Sequence, residues 1–284
     1  MTEPRSLLVA TDFSAEAGFA ARRAAALAKQ TSASVLLAHV LPDSLPAALH
    51  VQAAARAQEA LAALTAELQR DGVAVSPKLL SGDVAAEIAA AAAGHDAVVL
   101  GARGQGTLLD FALGRTSLRV VRGTRRPALV VKRPGESPYR RLLAAVDFSE
   151  PAFAAAACGA RLAPDGVLHL VNAFEVDFES TLRLAGVDEA KVEDYRREAR
   201  GRAMAALEAF AARLAVPRER LWPAAIHGYP PRVICEQAAR VGAELIVIGK
   251  HRAGLLERAL IGSVALQVLE NAPCDVLVVP EGAA

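Results

Sequence analysis

Residues 96–121, "DAVVLGARGQGTLLDFALGRTSLRVV", and residues 244–269, "ELIVIGKHRAGLLERALIGSVALQVL", are two versions of one segment. Each opens with an apolar run ending in glycine, Gly101 in one and Gly249 in the other, and each carries another glycine at Gly114 or Gly262. An offset of 148 residues relates both pairs. Outward from there, "SLLVATDFS" (6–14) recurs as "RLLAAVDFS" (141–149), which places Asp12 over Asp147 at an offset of 135. "SGDVAAEI" (81–88) recurs as "HGYPPRVI" (227–234) at 146, so an insertion of 11 residues lies between these landmarks. Self-similarity of this length means one structural unit built twice. The expected domains are residues 1–137 and 138–284, joined through "KRPGESPYRR", whose Pro, Gly and charge are those of a linker.

Within each copy, short β-branched or Leu-rich runs alternate with long Ala/Leu/Arg/Glu segments. Strands are expected at 6–11, 34–40, 74–80, 96–101 and 127–132, then at 141–146, 166–172, 220–226, 244–249 and 275–279, with helices between them. Runs such as "VLLAHV" and "LIVIG" are almost wholly apolar, as strands covered on both faces must be. The fold class is α/β, with a doubly wound parallel sheet in each copy. Ligands of such sheets bind outside the carboxyl ends of the strands.

The chain has 284 residues, 53% apolar and 22% charged, enough to bury full cores. Its 32 basic and 31 acidic residues give a net charge of +1 and no chain-wide field to draw nucleic acid or anionic lipid. "VAAEIAAAAAG" is too short for a membrane span and is interrupted by Glu87. "MTEPRSLLVATDFS" lacks the pattern of a secretory signal, so a cytoplasmic protein is expected. Cys158, Cys235 and Cys274 show no Cys-x-x-Cys spacing and read as reduced, buried thiols.

Chemistry is expected at the carboxyl ends. Asp12-Phe13-Ser14 and Asp147-Phe148-Ser149 each follow the first strand of their copy. Such residues cap the helix that follows, and an Asp one step beyond the sheet also suits a ribose hydroxyl or a metal riding on phosphates. In "GARGQGTLLDFALG" (101–114), glycines allow backbone N–H groups to approach phosphate oxygens, and the helix starting after Gly114 aims its positive end outward. The stretch is neither the dinucleotide fingerprint nor a Walker A loop. Lys250 and His251 read as solvated loop residues. The run "RVVRGTRR" (119–126) reads as surface and helix-dipole compensation. The helix within 188–214 reads as an ordinary surface helix with paired charges, and the preceding insertion, with Phe174, Phe178 and Leu182, as a cover for the second crevice.

The Asp ending strand one, the G-x-x-G-x9-G spacing of "GARGQGTLLDFALG" and the terminal strands "PALVVKRP" and "APCDVLVVP" together resemble the universal stress protein family in its tandem form. The resemblance covers essentially the whole chain. It implies five parallel strands per domain in the order 3-2-1-4-5, a role in cytoplasmic stress response, and binding of ATP, ADP or AMP with Mg. Carried over, Ala10, Thr11 and Asp12 meet the adenosine and the Mg, and Val40 meets adenine through its backbone. Gly101, Gly104 and Gly114 cradle the phosphates, with Arg103, Thr116 and Ser117 beside them. Arg115 stands where the family has Ser or Thr. The second copy keeps Asp147, Gly249, Gly262 and Ser263, but Arg252 replaces the glycine matching Gly104, so this site is expected to be degenerate. The resemblance further implies a pseudo-dimer within one chain through the terminal strands, with homodimerisation as an extension. Two alternatives stand beside nucleotide binding: a slow ATP hydrolase, for which no positioned base is found, and a chaperone-like module with two vestigial sites.

Overall fold

The structure, a computed structural model, describes residues 5–104, 113–135, 137–176, 179, 185–250 and 261–282. The first copy runs β1 (Ser6–Ala10), α1 (Ala15–Thr31), β2 (Ser34–Pro42), α2 (Ala47–Gln69), β3 (Ala74–Gly82), α3 (Val84–Ala92), β4 (Ala97–Gly101), α4 (Arg115–Gly123) and β5 (Ala128–Val131). The second runs β6 (Arg141–Ala145), α5 (Glu150–Leu162), β7 (Val167–Phe174), α6 (Glu189–Arg213), β8 (Leu221–His227), α7 (Pro230–Val241), β9 (Leu245–Lys250), α8 (Ser263–Asn271) and β10 (Asp275–Pro280). Ser14 and Ser149 cap α1 and α5 by accepting from the amides of Ala17 and Ala152, each at 3.2 Å.

The ten strands among the described residues form one sheet in the order β3-β2-β1-β4-β5-β10-β9-β6-β7-β8. Inside each copy the neighbours are parallel and the order is 3-2-1-4-5. The copies join where β5 and β10 pair antiparallel, with Leu129 opposite Leu277, its own counterpart. A pseudo-two-fold axis therefore passes through that pair. Alternation along the strands divides the core: Leu7, Val9, Leu129 and Leu277 pack on the side of α1, α2, α5 and α6. Leu8, Ala10, Val130 and Val276 pack on the side of α3, α4, α7 and α8.

Two groups of contacts lock the copies together. At the linker end of the seam, the Arg23 guanidinium lies 3.4 Å from Asp275 Oδ2 and 4.4 Å from the Tyr139 ring centroid. The Tyr139 hydroxyl donates to Asp275 Oδ2 at 2.7 Å, and the amides of Lys132 and Arg133 donate to its Oδ1 at 2.8 and 3.3 Å. Burial, then the adjacent Asp275 charge, pushes the Tyr139 phenol far above its ordinary range. The second group is reciprocal. Lys250 Nζ donates to the carbonyls of Val121 and Arg122 at 2.8 and 2.5 Å, closing the C-terminus of α4. Lys132 Nζ donates to those of Glu270 and Ala272 at 3.3 and 3.0 Å, closing the C-terminus of α8. Each lysine caps the last helix of the other copy, where a cation also meets the negative end of the dipole. The reading of Lys250 as a solvated loop residue is thereby corrected: it is 7% exposed, because its ammonium crosses the seam.

Candidate functional site

The chain leaves β1 through a tight turn held by its own side chains. Thr11 Oγ1 accepts from the Phe13 amide and Asp12 Oδ1 from the Ser14 amide, both at 3.0 Å. Phe13 takes φ of +62°, a left-handed conformation that a bulky residue adopts at a cost of about 1–3 kcal/mol. The second copy repeats the turn, with φ of +65° at Phe148 and the Ser149 amide 3.1 Å from Asp147 Oδ1. The helix-turn reading and the ligand reading of Asp12 are thus compatible. Oδ1 holds the turn, while Oδ2 faces Gly104, where an added Cβ would overlap it.

Around that carboxylate the glycine segment returns to the sheet. The Gly114 amide donates to the Ala102 carbonyl at 2.8 Å, and a Cβ on Gly114 would stand 3.3 Å from that oxygen and 3.4 Å from Arg103 Cα. Arg103 Nε lies 3.9 Å from Glu16 Oε1, on the first turn of α1. Gly114 is the N-cap of α4 and supplies no side chain to its opening amides, which leaves a positive helix end beside Gly104 and Asp12. Arg115 and Thr116 are exposed at that end. Ser117 is buried, and its hydroxyl donates to the Gly101 carbonyl at 2.8 Å, so it tethers α4 to β4 rather than pointing outward. Ala10, Thr11 and Val40 are buried at the carboxyl edges of β1 and β2.

Gly101 serves packing. A Cβ there would come within 2.9 Å of the Glu16 carbonyl carbon, and one on Gly249 within 2.6 Å of the Pro151 carbonyl carbon. Both glycines let the first turn of the helix after strand one lie against strand four.

One pair of residues was missed from sequence. His39 Nδ1 lies 2.8 Å from the Thr11 carbonyl, and its ring centroid lies 4.6 Å from that of Phe13. At the equivalent place, Asn172 Nδ2 donates to the Val146 carbonyl at 2.8 Å. In each copy a polar side chain holds the peptide that precedes the aspartate. The signal was a single polar residue at matched positions of apolar strands, "LAHV" (37–40) and "LVNA" (170–173).

The second edge diverges. Asp147 is exposed, and the Ser149 hydroxyl also donates to its Oδ1. Gly262 caps α8 with nothing within 4 Å of a Cβ placed on it, and Ser263 is exposed on the first turn. Arg252 and His251 lie outside the described residues, as do Phe178 and Leu182. What the described part of the insertion places at this edge is charged. Glu179 pairs with Arg196 and lies 2.8 Å from His227 Nε2, while the Phe174 and His227 ring centroids are 5.6 Å apart. The hydrogen bonds that Arg196 donates to Glu179 and then to Glu193 raise its pKa.

Among the described residues no three His, Cys, Asp or Glu side chains group as a metal cage. A divalent ion beside Asp12 would complete its shell with phosphate oxygens and water, the ordinary habit of Mg. Among the described residues no helix is long and apolar enough to cross a membrane. Cys274 is buried, and burial followed by the Asp275 charge raises its pKa to about 12; Cys158 and Cys235 are half-buried.

The sequence profile of the universal stress protein family matches residues 4–132 and again 138–280. A universal stress protein of Methanocaldococcus jannaschii is 46% identical over 63 residues, 20% of this chain and 37% of its own length. The match thus spans little more than a third of that relative. Among solved structures, a universal stress protein from Archaeoglobus fulgidus superposes with a TM-score of 0.73 at 19% identity, covering 98% of both chains. A functionally unknown protein from Pseudomonas aeruginosa superposes with a TM-score of 0.65 at 24% identity, covering 98% of this chain and 92% of its own.

Proposed function

The chain belongs to the universal stress protein family, and from that premise we propose that its first copy binds ATP, or ADP or AMP, with Mg at the carboxyl edge of β1, β2 and β4. The observation that carries the reading is the abutment of Gly104 on Asp12 Oδ2: a carboxylate and a bare backbone meet beside the start of α4, and a side chain would fill the gap. A carboxylate suits the ion, and bare amides with a helix start suit the phosphates. Val40 offers its backbone to adenine, Ala10 and Thr11 line the adenosine, and Asp12 holds the ion through the phosphates. Gly104, Gly114, Thr116 and the guanidinium of Arg115 take the phosphate oxygens, with Arg103 at the rim. In the second copy, Asp147, Gly249, Gly262 and Ser263 form a degenerate site, and residues 138–284 act chiefly as the structural partner of 1–137. The protein works in cytoplasmic stress response as a nucleotide-dependent binding module.

The test is to denature the purified protein, identify any released nucleotide by chromatography, and titrate ATP with and without Mg into the wild type and Gly104→Arg. Dissociation constants below about 1 mM for the wild type, lost in the variant, support the reading. No released nucleotide and no measurable affinity refute it. Turnover above roughly 1 per second would place the protein among ordinary enzymes instead.

A further inference from the structure

The antiparallel pairing of β5 with β10 creates two equivalent ends of one seam, and they are built differently. At one end the linker crosses, and Tyr139 fills the space between Arg23 and Asp275. At the other, a cavity of about 830 Å³ lies between the amino ends of β1, β4 and β5, helix α5 and the end of β10. Leu7, Leu129 and Leu277 lie beneath it, and Ala90 of α3 and its C-cap Ala93 form a wall. The pseudo-symmetry puts Cys158 at the place of Arg23 and Pro127 at the place of Asp275, so the buried ion pair of the linker end has only uncharged groups as its counterpart here.

The charge that does line the cavity is mainly cationic. Arg125, Arg126 and Arg161 all contribute to it. Among the described residues none of the three is within ion-pair distance of a carboxylate. Arg126 uses one N–H on the Ala93 carbonyl at 2.8 Å, and the Arg161 charge opposes the burial that raises the pKa of the Cys158 thiol. The acidic lining groups are Asp96 and Glu281. Asp96 already accepts from the Arg5 amide at 2.8 Å and from the Ser6 amide and hydroxyl at 3.0 and 3.2 Å. The cavity therefore offers guanidinium donors that make no ion pair within 4 Å among the described residues, Arg126 alone acting on the Asp96 charge, beside an apolar wall and at a volume typical of small-molecule sites.

We propose that this seam cavity binds a small amphipathic carboxylate, its acid group on Arg125, Arg126 and Arg161 and its apolar body along the alanine wall. Nucleotide chemistry plays no part in it, since the cavity lies at the amino edge of the first copy, away from Asp12 and Gly104. The guanidinium fork matches a carboxylate through charge-assisted pairs of hydrogen bonds, which a neutral alcohol of the same length cannot make.

Isothermal titration of the full chain with dodecanoate, dodecan-1-ol and dodecyltrimethylammonium, each below its micellar concentration, tests this. The acid is expected to bind at least about tenfold more tightly than the alcohol, the worth of roughly one charge-assisted contact, and the cation not at all. Arg125→Ala combined with Arg161→Ala should weaken the acid about tenfold. Ala90→Trp, on an exposed face of α3, should block it while leaving the melting temperature and the ATP titration unchanged. Equal binding of acid and alcohol, acid binding that survives Ala90→Trp, or no acid binding by the wild type would each overturn the proposal.

Discussion

The two carboxyl edges start from the same turn and end as different surfaces. In both copies a left-handed Phe follows an Asp whose Oδ1 accepts the Ser amide, and a polar side chain from the second strand holds the preceding carbonyl. In the first copy Phe13 then packs on His39 and the core, whereas Phe148 stands 38% exposed. The first edge presents Asp12 to Gly104; the second presents an exposed Asp147 and, further along, the Glu179–His227–Arg196 cluster. A shared frame thus keeps the same backbone geometry in both copies, while the side chains presented at the two carboxyl edges differ.

The sharpest break between the copies is expected at the seam. Asp275→Ala leaves Arg23 buried without its partner and should cost about 3–5 kcal/mol in denaturant unfolding, whereas Pro127→Ala, at the equivalent position, should cost less than about 1 kcal/mol. Next, Lys250→Met uncaps α4 and should cost about 1.5–3 kcal/mol, the range for hydrogen bonds from a charged donor. Lys132→Met, whose bonds are longer, should cost less. A smaller effect separates the aspartates: Asp12→Asn should weaken Mg-ATP binding about tenfold, or about 1.4 kcal/mol, and Asp147→Asn should leave it unchanged in the same titration. Phe148→Asn relieves the positive φ with little packing to lose and should stabilise by up to about 1 kcal/mol. Phe13→Asn should destabilise instead.

Last comes pH. His169 occupies the place of Leu36, and burial, helped by Arg240 and Arg141, lowers its pKa below 6.5. The unfolded chain then binds the proton more readily, so stability should fall as pH drops below about 6.5. His169→Leu should flatten that slope in melting curves taken between pH 7 and 5, and an unchanged slope would remove His169 as its source.

Most of the fold was legible locally. The strand expected at 34–40 is Ser34–Pro42, that expected at 141–146 is Arg141–Ala145, and both serine caps are where the turn chemistry placed them. Periodicity and capping are properties of neighbouring residues, so they survive into the folded chain. At the candidate site the residue types and their turn were legible, but several of their packing contacts were not. Gly101 reads as a phosphate glycine in the sequence, and the structure adds that the backbone of α1 lies against it, which no local pattern announces. Ser117 resembles a free hydroxyl, yet β4 claims it.

By itself, the sequence determined the doubled unit, the alternation of buried strands and helices, and the Asp-Phe-Ser turn, because each is written in repeats and short-range pattern. The tertiary structure alone decided that Lys250 caps a helix of the opposite copy, that Arg23 and Asp275 form one buried ion pair, and that one end of the seam is filled while the other holds a cavity. Those contacts join residues more than a hundred positions apart. No local periodicity can encode such a meeting; it comes about when the antiparallel pairing of β5 and β10 joins the two copies edge to edge.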